Sequence, residues 1–263
     1  MNKTHKQTAL ITGAASGIGY ELVCIFAEND YNLVLVDRAK EKLEEIAIEF
    51  QDKFGISVKP IVRDLSKTTS PEEIFQEVEQ ANIKVDVLVN NAGFGTYGLF
   101  NDTNLTDELE MLQVNLVCTT HLTKLFLKNM VQQGEGKILN VSSAAAFQPG
   151  PLMAVYFATK AYVLSFSEAL ANELDGTGVT VTVLCPGTTQ SAFHQRTGMA
   201  DSKLVKGKRM MDAATVADIG YRGLMQGKTI VIPGLINKIM AKSIRFIPRK
   251  LVTKIVRNMQ ENK

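Results

Sequence analysis

Tyr156 and Lys160 stand four residues apart in the run Tyr156-Phe157-Ala158-Thr159-Lys160, and Ser143 precedes the tyrosine by thirteen positions. A helix brings positions i and i+4 onto one face. An ammonium beside a phenol favours the ionised form and lowers its pKa from about 10 toward working pH. Such a tyrosine can exchange a proton with an alcohol or a carbonyl oxygen. A solvated helix face can carry the same two residue types, so the chemistry depends on the elements that position them.

Those elements alternate. Short apolar runs at 9–12, 33–36, 57–62, 85–89, 137–141, 179–184 and 229–232 predict strands, and the intervening 18–28, 40–54, 71–81, 107–131, 155–174 and 215–225 carry a helical apolar repeat. The strands are rich in Val, Ile and Leu without alternation, which suits a parallel sheet covered on both faces. The order predicts an α/β fold, a Rossmann-like doubly wound sheet of about seven strands with right-handed crossovers, followed by an amphipathic helical tail. Ligands of such sheets bind at the carboxyl ends of the strands.

The residues at those ends fit a nucleotide. Gly13, Ser16, Gly17, Ile18 and Gly19 form a small-residue loop between the first strand and the first helix. Glycine permits a tight turn and close backbone approach, and the helix N-terminus offers free N–H groups to a pyrophosphate. Asp37 ends the second strand, where a carboxylate accepts bonds from ribose hydroxyls and repels a 2′-phosphate. It favours NAD over NADP, whereas the adjacent Arg38 could clamp that phosphate. Asp64-Leu65 follows the third strand, where an acceptor could meet the adenine amino group. Asn90, Asn91, Ala92 and Gly93 follow the fourth; the small residues allow close approach and the amides can bridge strand ends. Asn115 is an amide on an otherwise apolar helix, a setting in which a satisfied core residue is common.

These motifs, with Ser143, Tyr156, Lys160 and Pro186-Gly187, resemble in order and spacing the short-chain dehydrogenase/reductase family, over about residues 8–233. Within it, 90–95 and 141–160 look like a bacterial group described as DltE-like, related to hydroxysteroid and ketoacyl reductases. The resemblance implies that Tyr156 is the general acid/base and that Lys160 depresses its pKa and holds the nicotinamide ribose. Ser143 would bond the substrate oxygen, and Asn115 would kink its helix and anchor a water serving a proton relay from Lys160. Pro186-Gly187 would close over the nicotinamide, with Ser191 standing where the family often has threonine. The implied reaction is NAD(P)-dependent interconversion of a secondary alcohol and a ketone, in a two- or four-subunit assembly. A 3-ketoacyl-thioester reductase and a non-catalytic nucleotide-binding scaffold are the alternatives; the presence of all three reactive side chains argues against the second.

Phe94, Phe147, Gln148, Met153 and a lid within about 188–214 are expected to line the substrate pocket, and their apolar character favours a lipophilic substrate. Arg196, Lys203, Lys206, Lys208 and Arg209 would place positive charge on that lid. His5, His121 and His194 lack ligand-like partners, and the three cysteines have no metal-ligand spacing, so no metal is expected; a nucleic-acid partner is not expected either. The polar start 1–8 reads as neither a secretory signal nor a membrane span, and cytoplasmic location is expected.

The net charge of +2 hides an asymmetry. From Gly234 onward eight basic residues meet one acid, Glu261, a net +7, which leaves −5 on the rest. The predicted division is therefore a nucleotide-binding domain over 1–233 and a basic tail over 234–263. In the tail Leu235, Ile236, Ile239, Met240, Ile247, Leu251, Val252, Ile255, Val256 and Met259 recur at helical spacing, divided by Pro248. Such a tail suits an anionic membrane surface, peripherally, or packing against the body or a second subunit.

Overall fold

The computed structural model describes residues 6–190, Thr197 and 210–261. Seven parallel strands form the central sheet: β1 (Thr8–Thr12), β2 (Asn32–Asp37), β3 (Val58–Val62), β4 (Val87–Asn90), β5 (Gly136–Val141), β6 (Val179–Leu184) and β9 (Ile230–Val231). Their order is β3-β2-β1-β4-β5-β6-β9. A two-stranded parallel pair, β7 (Thr189–Gln190) with β8 (Met211–Asp212), stands beside it. The chain reverses its direction of winding between β1 and β4, and a cleft opens above their carboxyl ends.

Successive side chains of a strand point to opposite faces. In β1, Ala9 and Ile11 pack into one core while Leu10 packs into the other. The first core takes Leu22 and Phe26 from α1 (Gly17–Glu28), Leu43 and Ile46 from α2 (Lys40–Phe54) and Leu224 from α7 (Ala213–Met225). The second takes Ile74 from α3 (Ser70–Gln80), Phe126 from α5 (Thr119–Gln133) and Leu170 from α6 (Ala154–Glu173). Both faces are dry, which is why the strands read as continuous apolar runs.

One amphipathic segment is not a single helix. The run expected over 107–131 is α4 (Leu105–Leu112), a π-helical turn at Gln113–Cys118, then α5. Such bulges shift the register of one face and recur at functional sites. Asn115 lies within this one. Beneath the cleft, Asn90 and Asn140 are register partners on β4 and β5. Asn90 Nδ2 donates to Asn140 Oδ1 at 2.9 Å and to Thr123 Oγ1 at 3.0 Å, and Asn140 Nδ2 donates to Ser167 Oγ at 2.9 Å. Four buried polar side chains thus tie the two strands to α5 and α6.

After β9 come α8 (Leu235–Ser243), a 3-10 turn (Ile244–Phe246) and α9 (Arg249–Gln260), with Pro248 as the N-cap of α9. Val252 and Val256 are each 4% exposed and pack with Ala145, Met153 and Phe157. The tail lies against the body beside the cleft.

Candidate active site

The glycine loop is held from below. Asn91 Nδ2 donates to the carbonyls of Thr12, 2.9 Å, and Gly13, 3.2 Å, while the main-chain N–H groups of Asn91 and Ala92 both donate to Thr12 Oγ1 at 3.0 Å. Gly13 has φ +67°, a left-handed conformation that favours glycine. At Gly19 a methyl group would overlap the Gly13 carbonyl and lie 2.5 Å from Asn91 Nδ2. Gly19 therefore lets helix and loop touch, a different service from close approach to a ligand.

Gly13, Asn91 and Ala92 border a cavity of about 850 Å³ that runs along the strand ends, whereas Gly19 does not line it. Gly13, Ser16, Gly17, Ile18, Asp37, Arg38, Asp64, Leu65, Asn91, Ala92, Gly93, Pro186 and Gly187, each expected at the cofactor site, all line it. Its fit to a dinucleotide can be tested on α1, whose N-cap Ser16 makes no side-chain cap and whose first turn holds no acid. The leading N–H groups thus carry positive partial charge toward the cavity without a competing carboxylate, as a pyrophosphate requires. Asp37 accepts from Ala15 N at 3.1 Å and Ala39 N at 3.0 Å, which fixes its carboxylate at the rim. Desolvation would raise the Asp64 carboxyl, but hydrogen bonds from Ser66 and the charges of Arg38 and Lys67 hold it below its ordinary value. Ser191 and the lid charges lie outside the described residues.

Tyr156, Lys160, Ser142 and Ser143 line the same cavity. The two serines differ in employment. Ser142 donates to the Lys160 carbonyl at 2.7 Å, whereas Ser143 is hydrogen-bonded to Tyr156 and accepts from Ala145 N at 3.1 Å. Lys160 is 5% exposed, donates from Nζ to the Val141 carbonyl at 3.0 Å and lies 5.8 Å from the centre of the Tyr156 ring. Gly93 makes room for it, since a methyl there would come 3.2 Å from Lys160 Nζ and 3.0 Å from Asn115 Oδ1. Asn115 Oδ1 accepts from Phe94 N at 3.1 Å, and its Nδ2 donates to Phe94 O at 2.9 Å and Thr159 Oγ1 at 3.1 Å. One amide thereby joins the loop after β4 to the helix bearing the tyrosine.

The expected lowering of the tyrosine pKa is not realised in this geometry. Burial pushes Tyr156 up to about 12 against the pull of the Ser143 hydrogen bond, and burial pushes Lys160 down to about 8. Burial disfavours the charged form of each group, and in both it is the largest influence. The two shifts have the same cause and opposite signs because phenol gains charge on losing a proton and ammonium loses it.

Of the expected substrate-pocket residues, Phe94, Gln148 and Met153 line the cavity. Phe147 does not; it packs beside Ala146, Val163 and Cys185 in a separate apolar cluster. The sequence reading missed the contribution of the tail. Ile247, Val252, Ile255, Val256, Met259 and Gln260 also line the cavity, and Val252, Val256 and Gln260 are the buried residues of α9. Their spacing of four is the signal that places them on one face.

The profile of the family described as short chain dehydrogenase matches residues 7–201. Human 17-beta-hydroxysteroid dehydrogenase type 3 is 37% identical over 191 residues, 71% of this chain and 60% of that protein. The very-long-chain 3-oxoacyl-CoA reductase of Pyrenophora tritici-repentis is 31% identical over 97% of this chain and 76% of its own length. Among solved structures, a short-chain dehydrogenase from Sphingobium yanoikuyae in complex with NADPH superposes with TM-score 0.81 at 28% identity, over 92% of this chain and 97% of that one.

Proposed function

The chain belongs to the short chain dehydrogenase family and is an NAD(P)-dependent oxidoreductase of CH–OH groups, and from that premise we propose that it interconverts a lipophilic secondary alcohol and its ketone with Tyr156 as general acid/base. What carries this reading is that Ser143, Tyr156 and Lys160 line one cavity with Met153, Val252 and Val256. A carbonyl compound with an apolar skeleton matches both the reactive and the dry parts of that lining.

NAD(P), when bound, supplies or accepts the hydride. The remaining tasks fall to side chains. In reduction the Tyr156 hydroxyl delivers its proton to the substrate oxygen as negative charge develops there, and Ser143 holds the same oxygen by a hydrogen bond. In oxidation the phenolate takes the alcohol proton. Lys160 stands beside the ring to neutralise that phenolate and to hold ribose hydroxyls. Asn115 Oδ1 and Lys160 Nζ lie on the same side of Gly93, and a water near them would serve a proton relay. Asp37, pinned at the rim by two main-chain N–H groups, favours NAD over NADP by charge repulsion of a 2′-phosphate.

A second reading, reduction of a 3-ketoacyl thioester, is supported by the likeness to the 3-oxoacyl-CoA reductase that spans nearly the whole chain. One screen separates the two: hydrophobic ketones, their alcohols and 3-ketoacyl thioesters, each with NAD(H) and NADP(H). Turnover of the free ketones with NADH above NADPH supports the first reading. Turnover confined to thioesters supports the second, and none with any of them rejects both.

The tail extends the reading to location. Leu235, Ile236, Ile239 and Phe246 are 57–88% exposed, and Lys238, Lys242, Arg245 and Arg249 are exposed among them. Apolar insertion combined with basic charge suits peripheral contact with an anionic membrane, at the edge of a cavity that takes a lipophilic substrate. Among the described residues, no helix is long and apolar enough to cross a membrane.

A further inference from the structure

We propose that the side-chain amide of Gln260 is a substrate-recognition group, and that the ligand it fits is a lipophilic ketone or alcohol bearing a second hydroxyl remote from the reacting carbon. The inference rests on the oxidoreductase reading above and adds to it the polarity of the far end of the substrate.

Gln260 is 0% exposed, and among the described residues neither its Nε2 nor its Oε1 has a hydrogen-bond partner. It lines the cavity that Tyr156 and Ser143 line. Its position follows from helix geometry. Val252, Val256 and Gln260 form the buried stripe of α9 at spacing four, and the first two pack in the cluster that contains Met153, Phe157 and Tyr156. Gln260 continues that stripe about 6 Å further along the helix axis than Val256, at a rise of about 1.5 Å per residue. The backbone there is held, because the Tyr97 hydroxyl donates to the Gln260 carbonyl at 2.6 Å.

An amide buried with both its polar ends unpaired destabilises a protein, and a leucine or methionine of similar size would fill the place without that cost. The residue type makes sense if a ligand completes its bonds. An amide offers one donor group and one acceptor, and a hydroxyl answers both. A second ketone would satisfy Nε2 and leave Oε1 unpaired, while a carboxylate would set negative charge against Oε1. A site built to bond a hydroxyl discriminates strongly against the analogue lacking it, since its own polar groups then stay unpaired.

The test compares two ligands of one apolar skeleton, a ketone and the same ketone with a hydroxyl at the opposite end, on the wild-type chain and on Gln260→Leu and Gln260→Met. Two quantities are read: kcat/KM, and the ligand-induced rise in Tm with cofactor saturating in a Tyr156→Phe background, where binding is seen without turnover. Retained NAD(P) binding certifies that each variant is folded. The expected wild-type preference for the hydroxylated ketone is about 10- to 100-fold, the worth of one or two hydrogen bonds in a dry site, falling to near one in both variants. A wild-type ratio near one, or a preference that both variants keep, overturns the assignment. Binding of either ketone without turnover in the wild type counts against the oxidoreductase reading, and the Tm arm still decides the role of Gln260.

Discussion

The Tyr97 hydroxyl donates a 2.6 Å hydrogen bond to the main-chain carbonyl of Gln260, 163 residues further along the chain. It fastens the last turn of α9 to the loop that follows β4, and so holds the wall formed by Val252 and Val256 against the cluster around Tyr156. Replacing Tyr97 by Phe keeps the ring and removes the bond, a loss of about 0.5–1.5 kcal/mol. We expect Tm to fall by about 2–4 °C per kcal/mol for a chain of this size, and limited proteolysis to cut the tail sooner. KM for a hydrophobic ketone should rise while cofactor affinity stays the same; equal tail cleavage in both proteins would sink the idea of a latch.

Tyr156→Phe should lower turnover by at least about a thousandfold and leave cofactor binding intact, because the ring remains and only the exchangeable proton is lost. The pH profile has a definite sign. With Tyr156 pushed up to about 12, the protonated form that reduction requires is present throughout the neutral range. Ketone reduction should therefore be nearly flat from about pH 6 to 8, whereas alcohol oxidation should climb with pH as the phenolate fraction grows. An oxidation rate independent of pH across that window would count against a neutral Tyr156.

Lys160 links stability to pH. Its folded value of about 8 lies below its ordinary 10.5. Between those values the unfolded chain retains a proton that the folded chain has released, so this group's contribution to stability increases with pH through that window. Urea unfolding of the wild type and Lys160→Met at pH 7.5 and pH 10 should show the difference moving in favour of the wild type at the higher pH. A constant difference would mean that the ammonium is not disfavoured in the fold.

Gly19→Ala places a methyl group against the Gly13 carbonyl and 2.5 Å from Asn91 Nδ2. Neither neighbour is the loose end of a long side chain, so backbone must move, at a cost of about 1–3 kcal/mol. The expected outcome is a Tm lower by several degrees and cofactor binding weakened by about tenfold or more, measured by titrating NADH fluorescence. Wild-type affinity in this variant would show that the loop does not need that contact.

The full chain should sediment with phosphatidylglycerol vesicles and not with phosphatidylcholine, and added salt should weaken the association. Serine at Leu235, Ile236, Ile239 and Phe246 together removes exposed apolar surface that does not line the cavity. It should abolish vesicle binding without changing cofactor affinity. Binding by that variant as strong as by the wild type would reject the membrane reading.

Much of this was legible in residue order. The apolar runs became the seven strands with shifts of one or two residues at their ends, and 40–54 and 179–184 are the observed α2 and β6. Loop glycines and strand-end polar residues announced a nucleotide cleft because local geometry restricts which residues can stand there. The π turn at Gln113–Cys118 was hidden, since a one-residue bulge barely alters an apolar repeat. Phe147 stands elsewhere for a related reason: an aromatic near the reactive residues can face the cavity or the adjacent core, and the 3-10 turn at Ala144–Phe147 sets it beside Val163 and Cys185.

By itself the sequence determined the fold class, the glycine loop and the presence of a phenol, an ammonium and a hydroxyl at a spacing that suits proton transfer, because those are matters of local periodicity and residue type. Only the tertiary structure decided how those groups are solvated and what faces them. It buried Lys160 and partly buried Tyr156 so that the lysine pKa falls and the tyrosine pKa rises, and it brought Gln260 of the last helix to the cavity that Tyr156 lines. Solvation and long-range packing depend on which distant segments exclude water from a site, and no stretch of sequence around that site carries this information.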